Sequence, residues 1–273
     1  MLFIFLAVLL FAGQSCAEDR LPPQGRFADV NGIRMYYETY GQGTPLIALH
    51  GFGGSSAMWS RFVADFSKEY RLIVPDLRGH GRSTNPTGQF THRQSALDVY
   101  ALLDQLGIRQ FRAMGVSTGG MTLLHMATQQ SSRVEALVWI GATTYFPEQA
   151  REVMRRSTVE SLTPADWERM RGIHKNGDDQ IRALRTEFYN FKDSYEDMNF
   201  TPPLLGTISA RTLIIHGDRD EFFPVAIPTD AYRAIPHAYL WIVPNGGHVP
   251  INEHAAEFTK TTLEFLRGDW EKK

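Results

Sequence analysis

"FRAMGVSTGG" occupies residues 111–120 and contains one serine, Ser117, set among glycines and other small residues. The apolar run before it predicts a buried strand at Phe111–Gly115, and residues 119–129 predict a helix. A strand that turns sharply into a helix requires glycine wherever a Cβ would collide with neighbouring backbone. Gly115 and Gly119 meet that requirement, and Gly120 lets the helix pack closely on the sheet. The stretch therefore predicts a tight strand-to-helix turn inside a sheet.

Strand and helix patterns alternate on both sides of this turn. Helical patterns lie at about residues 56–68, 94–106, 225–234 and 252–266. Short apolar runs typical of buried strands are PLIALHG (45–51), RLIVPD (71–76), VEALVWIG (134–141), RTLIIHG (211–217) and AYLWIVP (238–244). Before them, residues 26–41 alternate around Asn31-Gly32 and predict a hairpin. The pattern predicts an α/β fold: a mostly parallel, doubly wound sheet with helices on both faces.

The alternation stops once, between residues 145 and 207. This segment is charged, has helical periodicity and contains Pro202-Pro203, which stops a helix. We expect it to form an inserted helical lid over the C-terminal edge of the sheet, where open α/β sheets bind ligands. The expected division is a core of residues 18–144 and 208–273, with the insertion at 145–207 between them.

Composition excludes several classes of function. The chain has 273 residues, a formal net charge of −2 and one cysteine. This charge gives no basic field for nucleic acid, and we expect no nucleic-acid partner. The sequence contains no metal-ligand pattern of the HExxH kind, so we expect neither a metal nor an organic cofactor.

The N-terminus predicts a leader that is removed. The apolar run MLFIFLAVLLFAG (1–13) has the length of a signal-peptide core and is short for a membrane span. Small residues at Ser15-Cys16-Ala17 predict cleavage after Ala17, which leaves an exported chain without a stable membrane span. The n-region carries no Lys or Arg, so an uncleaved anchor stays open, as does lipid attachment through Cys16.

Ser117 becomes a candidate nucleophile because its strand-to-helix turn exposes a hydroxyl beside free helix N–H groups. A serine needs a base, and His248 in the loop PNGGHVP, between the last strand and the last helix, is the best placed of nine histidines. We expect His80 and His216 to be structural, His125 to be packed, and the others away from strand ends to be solvated: His92, His174, His237 and His254.

The base needs an orienting acid from a loop that follows a strand, between the serine and the histidine in sequence. Asp220 in HGDRDEFFP fits best, Asp218 is the near alternative, and Glu148 is a more distant one. The glycine-rich HGFGG (50–54) also follows a strand, so the N–H groups of Phe52 and Thr118 are the expected oxyanion donors.

Taken together, these motifs resemble the α/β-hydrolase superfamily. HGFGGSSAMW, VPDLRGHGRS, GVSTGG, GDRDEFFP and NGGHVP occur in the family's order between about residues 45 and 266. The form of the serine turn is similar to that of cofactor-independent esterases and perhydrolases. Serine as the nucleophile argues against the dehalogenases and epoxide hydrolases of this fold.

The resemblance implies hydrolysis of a small carboxylic ester through an acyl-enzyme. Carbon–carbon bond hydrolysis, lactone opening or perhydrolysis would use the same triad, and a non-catalytic ligand-binding protein is the alternative from another class. We expect aromatic residues of the insertion to form part of an apolar pocket. The residues expected there are Trp59, Met121, Tyr145 and Phe146.

Overall fold

The computed structural model describes residues 25–272, so the predicted leader at residues 1–17 lies outside the described residues. Eight strands form one sheet in the spatial order β1-β2-β4-β3-β5-β6-β7-β8. The strands are β1 Arg26–Val30, β2 Ile33–Tyr40, β3 Thr44–Leu49, β4 Tyr70–Pro75, β5 Phe111–Val116, β6 Val134–Ile140, β7 Arg211–Gly217 and β8 Ala238–Val243. β2 pairs antiparallel with β1 and β4, and every pair from β4 to β8 is parallel. The prediction of a mostly parallel α/β sheet is confirmed.

The hairpin at the edge of the sheet follows from its turn residues. Asn31 and Gly32 connect β1 to β2 with φ angles of 44° and 77°. Two consecutive positive φ values are characteristic of the two-residue turns that match the twist of a hairpin. The predicted hairpin is therefore present.

Both faces of the sheet are buried, because side chains alternate along each strand. In β3, Ile47 and Leu49 pack into one hydrophobic cluster, and Leu46 and Ala48 pack into the other. The first face is covered by α2 (His92–Gln105), α3 (Thr118–Gln129) and α8 (Ala226–Ala234). The second is covered by α9 (Ala255–Arg267) and by the short α1 (Val63–Phe66). This is the doubly wound arrangement that the alternating pattern predicted.

The segment predicted as one helix at residues 56–68 is two short turns instead. A 3-10 turn at Ser56–Trp59 precedes the four residues of α1. The apolar spacing is still used, since Trp59, Phe62 and Phe66 all pack against Phe258 of α9. Helical spacing therefore indicated the buried face correctly but not a continuous helix.

The insertion is helical and joins β6 to β7. It contains α4 (Glu148–Arg156), α5 (Pro164–Ile173), α6 (Asp178–Asn190) and the single turn α7 (Pro202–Leu205). Thr163 starts α5 with a capping box, in which its hydroxyl and the Asp166 carboxylate each accept from the other residue's N–H.

Arg151 ties two parts of the insertion together. It is buried and donates hydrogen bonds to the carbonyls of Phe146, Phe191, Lys192 and Ser194.

Within residues 25–272, no helix has the length and apolar character needed to cross a bilayer.

Candidate active site

The turn between β5 and α3 holds Ser117 in a backbone conformation that residues other than glycine rarely adopt. Its φ is 51° and its ψ is −117°. A Cβ on Gly115 would lie 2.5 Å from the backbone of Gly119, and one on Gly119 would lie 2.4 Å from the Leu49 carbonyl oxygen. A Cβ on Gly120 would meet Ala142 at 2.7 Å. As expected, the glycines allow a backbone approach that no other residue permits.

Ser117, His248 and Asp220 form one hydrogen-bonded chain. Ser117 Oγ lies 2.9 Å from His248 Nε2, and His248 Nδ1 lies 2.9 Å from Asp220 Oδ2. The three residues follow three different strands, β5, β8 and β7, whose carboxyl ends meet at one edge of the sheet. With Nδ1–H donated to the carboxylate, Nε2 is left free to accept the serine proton.

Asp220 is held as a buried carboxylate. Burial alone raises its pKa, but the hydrogen bond and charge of His248 and the N–H groups of Phe222 and Phe223 outweigh burial. These amides donate to Oδ1 at 2.7 and 3.1 Å. The net result is a pKa below the usual aspartate value, which keeps the acid ionised beside the imidazole.

The two alternative acids lie elsewhere. Asp218 has no hydrogen bond to His248, and its nearest cation is the adjacent Arg219 at 3.8 Å. Glu148 begins α4 and pairs with Arg155 at 2.6 Å. Asp220 is therefore the acid that the structure brings to the imidazole.

Ser117 and His248 line a cavity of about 160 Å³, called the triad cavity below. Phe52 and Thr118, the expected oxyanion donors, both line it beside Ser117 and His248. Thr118 is the first residue of α3, where helix N–H groups have no intrahelical partner. Of the expected pocket residues, Met121 and Phe146 line this cavity.

Two expected pocket residues do not line the cavity. Trp59 is fully buried in the core on the second face of the sheet, between Phe62 and Phe258, so its ring is used for packing. Tyr145 is about half exposed and forms an isolated bridge with Asn199. Both lie next to cavity segments in sequence, but their side chains lie outside the cavity.

Sequence reasoning also missed part of the cavity wall. Phe222 and Phe223 directly follow the acid, and the Phe222 ring lies 4.6 Å from the His248 ring. Their position in DEFFP, two and three residues after Asp220, was the available signal. Phe188 and Phe191 also line the cavity and are among the aromatic residues of the insertion that we expected there, whereas Met58, Met154 and Val249 were not anticipated.

Two histidines that we expected in solvent are buried. His92 is fully buried and its Nδ1 lies 2.6 Å from Asp197 Oδ2. His174 is 3% exposed, and its Nδ1 accepts from the Gly81 N–H at 3.1 Å. Each contact joins the core to the insertion across about a hundred residues of sequence, which local polarity does not reveal.

In the part of the chain that the structure describes, no group of three or more His, Cys, Asp or Glu side chains is placed to hold a metal ion.

Comparison with known proteins gives consistent relatives. A family model described as the alpha/beta hydrolase fold matches residues 44–163. An uncharacterized protein of Mycobacterium tuberculosis is 31% identical over 91% of this chain and 82% of its own length. A 2-hydroxymuconate semialdehyde hydrolase of Pseudomonas putida is 28% identical over 92% of this chain and 96% of its own.

A solved structure agrees with these relatives. The enol-lactonase of Burkholderia xenovorans superposes with a TM-score of 0.74 at 25% identity, covering 89% of this chain and all of the lactonase. The sheet order, the serine turn and these relatives lead to one conclusion: the chain belongs to the α/β-hydrolase family of enzymes.

Proposed function

We propose that this hydrolase cleaves a neutral carboxylic ester through an acyl-enzyme intermediate. The observation that carries the proposal is the continuous hydrogen-bonded chain from Ser117 Oγ to Asp220, at the wall of an apolar cavity. A serine hydroxyl becomes a nucleophile at neutral pH when an oriented imidazole accepts its proton.

The first half of the reaction forms the acyl-enzyme. Ser117 Oγ attacks the ester carbonyl carbon while its proton passes to His248 Nε2. The ionised Asp220 stabilises the imidazolium through the Nδ1–H hydrogen bond. The N–H groups of Phe52 and Thr118 donate hydrogen bonds to the carbonyl oxygen and stabilise the negative charge that develops on it. The alcohol then leaves with the proton from His248.

In the second half of the reaction, water hydrolyses the acyl-enzyme. Water gives a proton to His248 Nε2 and attacks the acyl carbon, and the carboxylic acid leaves as Ser117 Oγ regains its proton. A lactone is a cyclic ester and would pass through the same steps, as the name of the Burkholderia relative illustrates. Perhydrolysis differs only in using hydrogen peroxide in place of water.

Carbon–carbon hydrolysis is the second candidate, favoured by the Pseudomonas relative, whose substrate is by name a muconate and thus a carboxylate. None of the described residues lining the triad cavity is Arg or Lys. A carboxylate placed there would be desolvated without a cationic partner, which is unfavourable. The apolar wall therefore supports a neutral substrate.

The test uses one covalent probe and two substrates. We expect a fluorophosphonate to label Ser117, and Ser117→Ala to lose at least about a thousandfold in turnover of p-nitrophenyl butyrate with unchanged thermal unfolding. Unlabelled, inactive wild-type protein would indicate a binding protein instead. A higher kcat/KM for 2-hydroxymuconate semialdehyde than for neutral esters would replace the ester proposal by carbon–carbon hydrolysis.

A further inference from the structure

Phe188, on α6 of the insertion, forms part of the wall of the triad cavity. Its ring on α6 is 5.4 Å from the ring of Phe52, in the loop after β3, and 6.4 Å from that of Phe222, in the loop after β7. The third neighbour is Phe191, at 6.3 Å. Phe188 thus closes the space between the two loops that flank Ser117.

A second cavity, of about 150 Å³, lies on the other side of this ring pair. Phe52 and Phe188 line both cavities and form a shared wall. The second cavity differs in charge, because Arg169 and Arg185 contribute to its lining. A neutral cavity and a cationic cavity therefore meet at two phenyl rings.

Arg185 is the more enclosed of the two arginines. Its Nε donates to the Thr158 carbonyl at 3.0 Å, and its Nη2 donates to Ser161 Oγ at 3.0 Å. Both acceptors are neutral, so these bonds orient the guanidinium without cancelling its charge. Arg169, in contrast, pairs with Asp166 at 3.2 Å.

Of the two residues in the shared wall, Phe188 is the one that can be substituted with less effect on the catalytic groups. Phe52 is held by His80, Phe90 and Phe191 at ring distances of 4.7, 5.6 and 5.2 Å, and its own amide belongs to the oxyanion site. Phe188 comes from a helix of the insertion and is half-buried. Its side chain can be shortened without removing a group that touches the reacting atoms.

We propose that Phe188 determines the charge specificity of this enzyme by keeping the guanidinium groups of the second cavity out of the triad cavity. With the ring in place, only neutral acyl groups are bound well. With the ring removed, the two cavities join and an acyl group that ends in a carboxylate reaches Arg185. The inference rests on the proposed ester hydrolysis and names its substrate class.

The experiment compares two esters with the same leaving group, p-nitrophenyl butyrate and p-nitrophenyl hydrogen glutarate, the second of which ends in a carboxylate. For Phe188→Ala we expect the ratio of kcat/KM, anionic over neutral, to rise about tenfold or more relative to wild type. Met154→Ala is the matched control, because Met154 lines the triad cavity but not the second cavity. It should leave the ratio within about twofold.

Reversal identifies the arginine. Adding Arg185→Gln to Phe188→Ala should return the ratio to near the wild-type value, and Phe188→Val replaces Phe188→Ala if thermal unfolding shows the alanine variant misfolded. An unchanged ratio in a folded Phe188 variant, or an equal rise in Met154→Ala, overturns this inference while the proposed function stands. Wild-type protein that hydrolyses neither ester contradicts the proposed function itself.

Discussion

Asp220 uses its two carboxylate oxygens for different purposes. Oδ1 accepts the amides of Phe222 and Phe223 and so fixes the loop, whereas Oδ2 accepts the Nδ1–H of His248. Behind it, His216 lies 3.7 Å away and donates instead to the Phe223 carbonyl. One residue therefore shapes the loop and selects the tautomer of the imidazole.

This division predicts how Asp220→Asn will behave. The amide oxygen retains the two backbone hydrogen bonds, while the amide NH₂ faces Nδ1 and forces the proton onto Nε2. His248 then cannot accept the serine proton, and we expect kcat to fall roughly 10³- to 10⁴-fold with the fold intact. Steady-state kinetics with p-nitrophenyl butyrate and circular dichroism measure the two effects.

Asp218→Asn is the matched control for Asp220→Asn in the same loop. Its side chain forms neither a hydrogen bond nor an ion pair with His248, so activity should stay within about twofold of wild type. A larger loss in Asp218→Asn than in Asp220→Asn would reverse the assignment of the acid.

Residue identities could be predicted where the loop position carries the information. Ser117 and His248 stand in glycine-rich turns that follow strands, and this position alone selected them from many serines and nine histidines. His174 could not be placed in this way, since its partner Gly81 lies 93 residues away and only folding brings them together.

At the scale of elements, the insertion is fastened to the loop that follows β4. Gly81 donates to His174 Nδ1 and accepts from the Lys175 N–H at 2.9 Å, and Gln180 Nε2 donates to the Gly79 carbonyl at 2.8 Å. Asp197 of the insertion accepts from the N–H of His92 at the start of α2. These contacts hold the insertion against the core beside the triad.

The His174 contact predicts a pH dependence of stability. Burial, followed by the nearby His50, lowers the pKa of His174 to about 4, while Asp76 opposes the shift. An accepting Nδ1 must also be unprotonated. Since the unfolded histidine titrates near 6.5, the unfolded chain binds the extra proton between these values. Stability is therefore greatest above about pH 6.5 and is lost as the pH falls toward 4, by up to about 3 kcal/mol from this residue.

His174→Asn isolates that contribution, because an amide oxygen can accept from Gly81 without titrating. Urea unfolding at several pH values should show that wild type loses more free energy of unfolding than this variant between pH 6.5 and 4. His237→Asn, at an exposed histidine, is the control and should retain the wild-type slope. Parallel curves for wild type and His174→Asn would contradict the assignment.

Element boundaries were predictable where one pattern dominates. The apolar run of β7 matches its predicted span, Arg211–Gly217. At residues 56–68, Trp59, Phe62 and Phe66 have helical spacing, but two short turns satisfy the same packing against Phe258. Periodicity reports which side is buried, and tertiary contacts decide whether the backbone continues as a helix.

At the scale of the whole molecule, the class of fold was predictable but the strand order was not. Apolar runs alternating with amphipathic segments require a parallel sheet covered on both faces. The placement of β3 between β4 and β5 depends on non-local pairing, Ile47 with Ile73 on one side and with Ala113 on the other. No local signal in the sequence specifies those partners.

The predicted leader, residues 1–17, lies outside the described residues. We propose that the protein is exported and that its first 17 residues are removed, because a short apolar run is followed by Ser15-Cys16-Ala17. N-terminal sequencing and intact mass of the protein expressed with residues 1–17 should give a mature chain that starts at Glu18.

Cys16→Ser separates the remaining possibilities, because it removes the one thiol and keeps a small residue at the cleavage site. Under signal-peptide cleavage after Ala17, the mature proteins from wild type and Cys16→Ser have identical masses. Under lipid attachment, wild type carries the mass of acyl chains on Cys16, partitions into detergent and loses both properties in the variant. Under an uncleaved anchor, both proteins begin at Met1 and differ only by the substituted side chain. Each route leaves a different N-terminus, so one mass spectrum of each purified protein decides whether the hydrolase is released or stays anchored to the membrane.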